Sequence, residues 1–325
     1  MKNTAKKILC AGLAFMLVIP VYAGNISTQG EMLSDEAHVY EILPGTDEWV
    51  EMTPMERYAS CAVSEEEVSS MTTRALVETV LNYPYLINIY AFDSIEMGIK
   101  HVSGYFPGLD ELFSRQDAVS ELERFAERRI QTASSEGDVD LSLFDAQILT
   151  DHLQTSETLA ERRASTSYVY TPEGNPVEVT VGMTWSNHKE GLTPSVANEQ
   201  CERFLKMYPS ASLVRGPNPS YNCHSYAWYS TSSTNNAWMD DPSMYMEDGS
   251  YERTTAAVGC NVAYKRTDGE CFHSGKIVAT TGGPVTVRSK WGPLGLFTHA
   301  INDCPYVDPN NPDYEGSITS CWVRS

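Results

Sequence analysis

Ser220-Tyr221-Asn222-Cys223-His224-Ser225-Tyr226-Ala227-Trp228-Tyr229 sets a cysteine where turn-forming sequence gives way to a helical pattern. Upstream, Arg215-Gly216-Pro217-Asn218-Pro219-Ser220 fits neither a regular helix nor a central strand. Downstream there is no breaker as far as Ser230, and Tyr226, Ala227 and Ser230 follow Cys223 at the spacing of one helical face. Cys223 therefore falls in a first turn. Unpaired N–H groups and the helix dipole there favour an anion and lower a thiol's pKa. These are the attributes of a candidate nucleophile, which needs a separate base to take its proton.

His224 adjoins the cysteine, but neighbours on a helix point apart, so a packing or hydrogen-bonding role is expected for it. His38, His101, His152 and His188 lie near no motif and read as surface residues. His273 is better placed. It stands in the run Cys271-Phe272-His273-Ser274-Gly275-Lys276-Ile277-Val278-Ala279, where strand alternation puts His273, Gly275, Ile277 and Ala279 on one face. If the turn Thr281-Gly282-Gly283-Pro284 pairs Ala279 with Val285, then Ile277 meets Val287, Gly275 meets Ser289 and His273 meets Trp291. Ser289 is then the first candidate to orient the imidazole, with His299, Asn302 and Asp303 as competitors.

Working outward, Tyr168-Val169-Tyr170 and Val177-Glu178-Val179-Thr180-Val181 alternate around a turn and predict a β-hairpin, and Thr193-Pro194 opens a helix to about Met207. Residues 258–264, 271–279 and 285–290 read as strands. The preceding part is different. Thr53 and Ser64 each precede a glutamate by three positions, the start signal of a helix. Apolar stripes then run through residues 72–81, 94–106, 116–130 and 141–163. The fold class expected is α+β: a signal peptide at 1–23, an irregular acidic segment at 24–50, a helical domain at 51–164 and a domain of helices packed on a small antiparallel sheet at 165–325.

The leader reading rests on Lys2, Lys6 and Lys7, the apolar run from Ile8, and Val21-Tyr22-Ala23 as a cleavage pattern. It predicts a secreted protein without stable membrane insertion. A net charge of −20 argues against nucleic acid or an anionic membrane surface as partner. Without Cys10, seven cysteines remain of eight, and an odd number predicts at least one free thiol or an intermolecular bridge. No nucleotide loop or zinc-type Cys/His spacing is present, so no cofactor or metal is expected.

Asn222-Cys223-His224-Ser225-Tyr226-Ala227-Trp228, Val258-Gly259, His273-Ser274 and Ser289-Lys290-Trp291-Gly292 together resemble the papain-like amidohydrolases and peptidases of the CHAP and NlpC type, over roughly residues 190 to 305. The chain is also similar to a group of secreted proteins of Gram-positive bacteria through Leu81-Asn82-Tyr83-Pro84-Tyr85-Leu86 and Asp303-Cys304-Pro305-Tyr306. The resemblance implies a nucleophile helix on a small antiparallel sheet and hydrolysis of an amide through an acyl-enzyme. Cys223 would attack, His273 would be the base, Ser289 the orienting group, and Tyr221, Asn222 and Trp291 oxyanion or substrate contacts. A cell-wall peptide, or a peptide or protein, would be the substrate. Cys260 stands where those families carry an acidic residue, and Ser289 where they carry histidine, asparagine or glutamate. The alternative expectation is an inactive binding or envelope-structural protein on the same fold.

Overall fold

The computed structural model describes residues 33–132, 140–154, 165–188, 192–266, 269–307, 309 and 319–325. The expected signal peptide and the first part of the acidic segment lie outside the described residues, as does the 155–163 stretch of the last predicted helix. From Leu33 to Ser325 the chain forms one compact unit.

Among the described residues eight α-helices precede the first strand: α1 (Asp47–Glu51), α2 (Pro54–Ser60), α3 (Glu65–Ser70), α4 (Thr73–Leu81), α5 (Ile95–Ser103), α6 (Pro107–Ser114), α7 (Ala118–Thr132) and α8 (Leu141–Gln154). Their starts follow side-chain chemistry. Thr53 and Glu56 form a reciprocal capping box on α2, and Ser64, Thr72 and Ser94 each accept the N–H of the residue three positions on. Thr46 does the same for α1, so the segment expected to be irregular turns helical at Asp47. Pro84 stops α4 as expected, but the chain then continues as a 3-10 helix, Pro84–Ala91, with residues 85–91 all buried. Continuous burial erases the periodicity that would have announced it.

Beyond residue 165 come β1 (Ser165–Tyr170), β2 (Pro176–Val181), α9 (Pro194–Met207), β3 (Ser212–Arg215), β4 (Ala237–Trp238), α10 (Ser243–Glu247), β5 (Tyr251–Thr254), β6 (Asn261–Lys265), β7 (Cys271–Ala279), β8 (Thr286–Lys290), β9 (Leu296–Ala300) and β10 (Thr319–Arg324). The hairpin β1-β2 joins β4 in a three-stranded sheet, and a seven-stranded antiparallel sheet runs β3-β9-β8-β7-β6-β10-β5. The protein is thus α+β with antiparallel sheets. β10 lies between β5 and β6, although both precede it in the chain. Ile277 pairs with Val287 as the alternation predicts, whereas Ala279 pairs with Thr286 and not Val285 because the register shifts between Ile277 and Ala279.

One apolar core runs from Tyr40 through the helices into the sheet, to Ile277, Val287, Trp291, Phe297 and Tyr306. Aromatic rings stitch it: Tyr58 stacks on Tyr85, Tyr83 on Phe106, and Tyr208 meets both Tyr85 and Trp291 edge-on. The buried pair Arg57–Asp303, 3.2 Å, ties α2 to the loop after β9, and Arg57 also donates to the Met207 carbonyl at the end of α9.

The 3-10 helix and α5 meet backbone to backbone at Gly98, where an added Cβ would run into the backbone of Ile89. A main-chain obstacle cannot rotate away, so Gly98→Ala is expected to cost about 1–3 kcal/mol of stability, read as a lower urea midpoint at unchanged m-value.

Candidate functional site

Asn222 organises the local chain around Cys223. Its side-chain oxygen accepts the N–H groups of Ser225 and Met239, and its amide nitrogen donates to Met239 O and to Asp93 Oδ2, both at 2.6 Å. That amide's polar capacity is thus divided between the turn and the Asp93 carboxylate, which makes Asn222 a positioning residue. Cys223 and His224 are helical, and the chain then widens into a π-helical turn, Ser225–Tyr229, closed by the Ser230 N–H on Ser225 O at 2.9 Å.

The turn rests on β7. Ser274 Oγ receives Trp228 Nε1 and lies 2.9 Å from His224 Nδ1, and the Ser274 N–H, with that of His224, points at the Cys223 sulfur. Cys223 is therefore anchored at the residue directly after His273. A third element enters from the helical part: Asp93, just beyond the 3-10 helix. Its carboxylate, the Cys223 sulfur and a ring nitrogen of His224 lie within 4.8 Å of one another. Asp93 is the neighbour that the sequence does not announce, whereas His224 is packed and hydrogen-bonded to Ser274 as expected. Nothing local marks Asp93.

The remaining predicted residues have other occupations. His273 is fully buried, its ring stacked on Tyr306 at 3.3 Å between centroids, and neither ring nitrogen has a hydrogen-bond partner among the described residues. Ser289 does not bond to it. Its hydroxyl lies 2.9 Å from His299 Nε2 and accepts Trp291 Nε1 at 3.1 Å, so the expected orienter serves a different imidazole. Trp291 is packed face to face on Phe297, and the Tyr221 hydroxyl takes a hydrogen bond from Arg215. His188, expected at the surface, is buried edge-on to Trp238.

Burial dominates the electrostatics. Cys223 is 2% exposed, and desolvation, reinforced by the Asp93 charge, pushes its thiol pKa well above the ordinary value. This reverses the expected depression, because the two N–H groups on the sulfur are outweighed by the loss of water. Desolvation lowers His224 and His299 to about 4 and pushes His273 well below the ordinary imidazole value, which favours the neutral form of all three. The seven cysteines among the described residues are all free, and six are buried.

The cover over this region comes from the end of the 3-10 helix. Gly292, at φ +48°, lies so close that an added Cβ would strike the Phe92 carbonyl oxygen, and the Tyr306 hydroxyl donates to Ala91 O at 2.6 Å. A groove of about 520 Å³ runs along the lead-in to the cysteine, lined by Thr184, Trp185, Arg215, Pro217, Asn218 and Ser220 among others. The chain matches no family model, no curated protein and no solved structure. Among the described residues no helix is long and apolar enough to cross a membrane.

Lys290, at the end of β8, is also fully buried, donating to Gly292 O and Leu294 O at 2.8 and 2.6 Å with Tyr221's ring beneath it. Desolvation lowers its pKa from 10.5 to about 7. The folded state then binds fewer protons than the unfolded chain between those values, so this group's penalty is full below pH 7 and fades as pH rises. Stability measured by urea unfolding between pH 7 and 9 is expected to rise more steeply in the wild type than in Lys290→Met, by up to roughly 1.4 kcal/mol per pH unit.

Proposed function

We propose that the protein is a secreted, cysteine-dependent hydrolase of amide bonds on a papain-like arrangement, acting on a cell-wall peptide or on a peptide or protein. The observation that carries this reading is the seating of the Cys223 sulfur against the N–H of Ser274, one residue from a buried imidazole whose two nitrogens have no hydrogen-bond partner among the described residues. A hydrogen-bond-free imidazole in a core costs on the order of 1–3 kcal/mol for each unsatisfied group. Keeping His273 in that condition makes chemical sense if it awaits a proton.

In this mechanism His273 takes the Cys223 proton and the sulfur attacks the carbonyl carbon, with the Cys223 N–H assisting the oxyanion. The carbon–nitrogen bond breaks as His273 returns the proton to the leaving amine, and water, deprotonated by His273, then releases the acid from the thioester. Because no hydrogen bond joins His273 to the thiol under the 91–93 cover, the reactive arrangement follows displacement of that cover and release of the ring from Tyr306.

Cys223→Ala and His273→Ala are each expected to lower kcat/KM on peptidoglycan stem peptides or protein substrates by at least about 10³-fold without loss of fold. Retained hydrolysis in Cys223→Ala would sink the reading. A second reading, an inactive binding or envelope-structural protein on this fold, is favoured by the burial of Cys223. Iodoacetamide separates the two. Labelling of Cys223 in the folded protein faster than global unfolding supports the hydrolase, and labelling only at the unfolding rate supports the inactive protein.

A further inference from the structure

Asp93, Cys223 and His224 gather a carboxylate oxygen, a sulfur and an imidazole nitrogen within 4.8 Å of one another. Around a tetrahedral ion with bonds of about 2.0–2.3 Å, ligand atoms stand roughly 3.3–3.7 Å apart, so shifts of about an ångström would bring the three to one centre. We propose that these residues form a binding site for a thiophilic divalent ion, zinc or cobalt. This inference rests on the donor geometry and is independent of the hydrolase reading.

The donors are held from outside, as metal ligands are. Asn222 Nδ2 grips the carboxylate at Oδ2, and Ser274 Oγ lies against His224 Nδ1. The backbone that carries Asp93 is pinned on both sides. Tyr306 and Gly292 hold Ala91 and Phe92, while Ser94 accepts the Met97 N–H as the cap of α5. Cys223 and His224 are fixed by the turn that Asn222 closes. A site braced before the ion arrives loses little freedom on binding it.

Donor type selects the ion. A thiolate beside an imidazole and one carboxylate suits zinc or cobalt, whereas magnesium and calcium take oxygen donors. Binding replaces the thiol proton by the metal and releases that proton to solvent. One thiolate and one carboxylate then neutralise the double charge, so the buried assembly carries no net charge. Three protein ligands leave a fourth position for water or a substrate atom. With the ion bound, the Cys223 sulfur is engaged and cannot act as a nucleophile, so occupancy would switch off the hydrolase chemistry.

The test is a cobalt(II) titration of the reduced, metal-free full chain, followed by absorbance and by proton release. The expected result is one equivalent bound with a thiolate-to-cobalt charge-transfer band, displaced by zinc. The band disappears in Cys223→Ser, and affinity falls at least about 10-fold in Asp93→Asn and in Ser274→Ala. Near-UV circular dichroism verifies the fold of each variant, and Asp93→Asn, nearly isosteric, decides the matter if Cys223→Ser does not fold. No charge-transfer band at millimolar cobalt, a band that survives Cys223→Ser, or an affinity unchanged in Asp93→Asn would each overturn the site. Since the titration reads no hydrolysis, its failure leaves the hydrolase reading standing, and an inactive protein could still bind cobalt.

Discussion

The hydroxyl of Tyr306 meets the carbonyl of Ala91 at 2.6 Å, while its ring lies flat on His273. That one side chain joins the end of the 3-10 helix to the middle of the sheet. It does so in the buried core, where an unmade hydrogen bond costs its full desolvation. Phe92 packs edge-on to the same ring, and Gly292 leaves room for the Phe92 carbonyl to come down onto the sheet. This junction, with the Ser94 cap on the other side, sets Asp93 beside Cys223. The helical part is thus a component of the site, supplying one of its three converging donors.

One physical cause dominates five titratable groups of this region. Removal from water raises the Cys223 thiol, lowers His224, His273 and His299, and lowers Lys290. In each the shift is toward the neutral form, complete near pH 7 for His224 and His299 and partial for Lys290. A proton acceptor that is neutral and a thiol that keeps its proton form a poised but unreacted pair. Anything that admits water or a counter-charge would shift both groups toward ionisation together.

How much was legible in the sequence depends on the range of the interaction that decides each feature. Caps are local, so Thr53 with Glu56, and Thr193 before α9, announce their helices. Alternation along β7 and β8 is local to two strands, which gives the Ile277 to Val287 pairing. The shift beside it is invisible because nothing in Val278 or Ala279 marks a bulge. β9 escapes because Leu296, Phe297, His299 and Ala300 are buried whichever way they point, leaving no period of two to detect. The Cys223 turn could be found, since breaker and helical pattern adjoin. The partner of Ser289 could not, because His299 reaches it across a neighbouring strand. Asp93 meets Cys223 with α5 to α9 and three strands lying between them in the chain, and no spacing rule spans such a separation.

The interposed position of β10 bears on how the molecule comes into being. β5 and β6 emerge from the ribosome early and are never neighbours, since the strand that fills the gap between them is synthesised after both. Until it arrives, each offers an unsatisfied edge to any passing strand, its own or another chain's. Cys260 stands beside β6, one of the strands that wait, and Cys321 on β10, the strand that arrives. This sheet therefore closes from its last strand, inserted between two that were made before it.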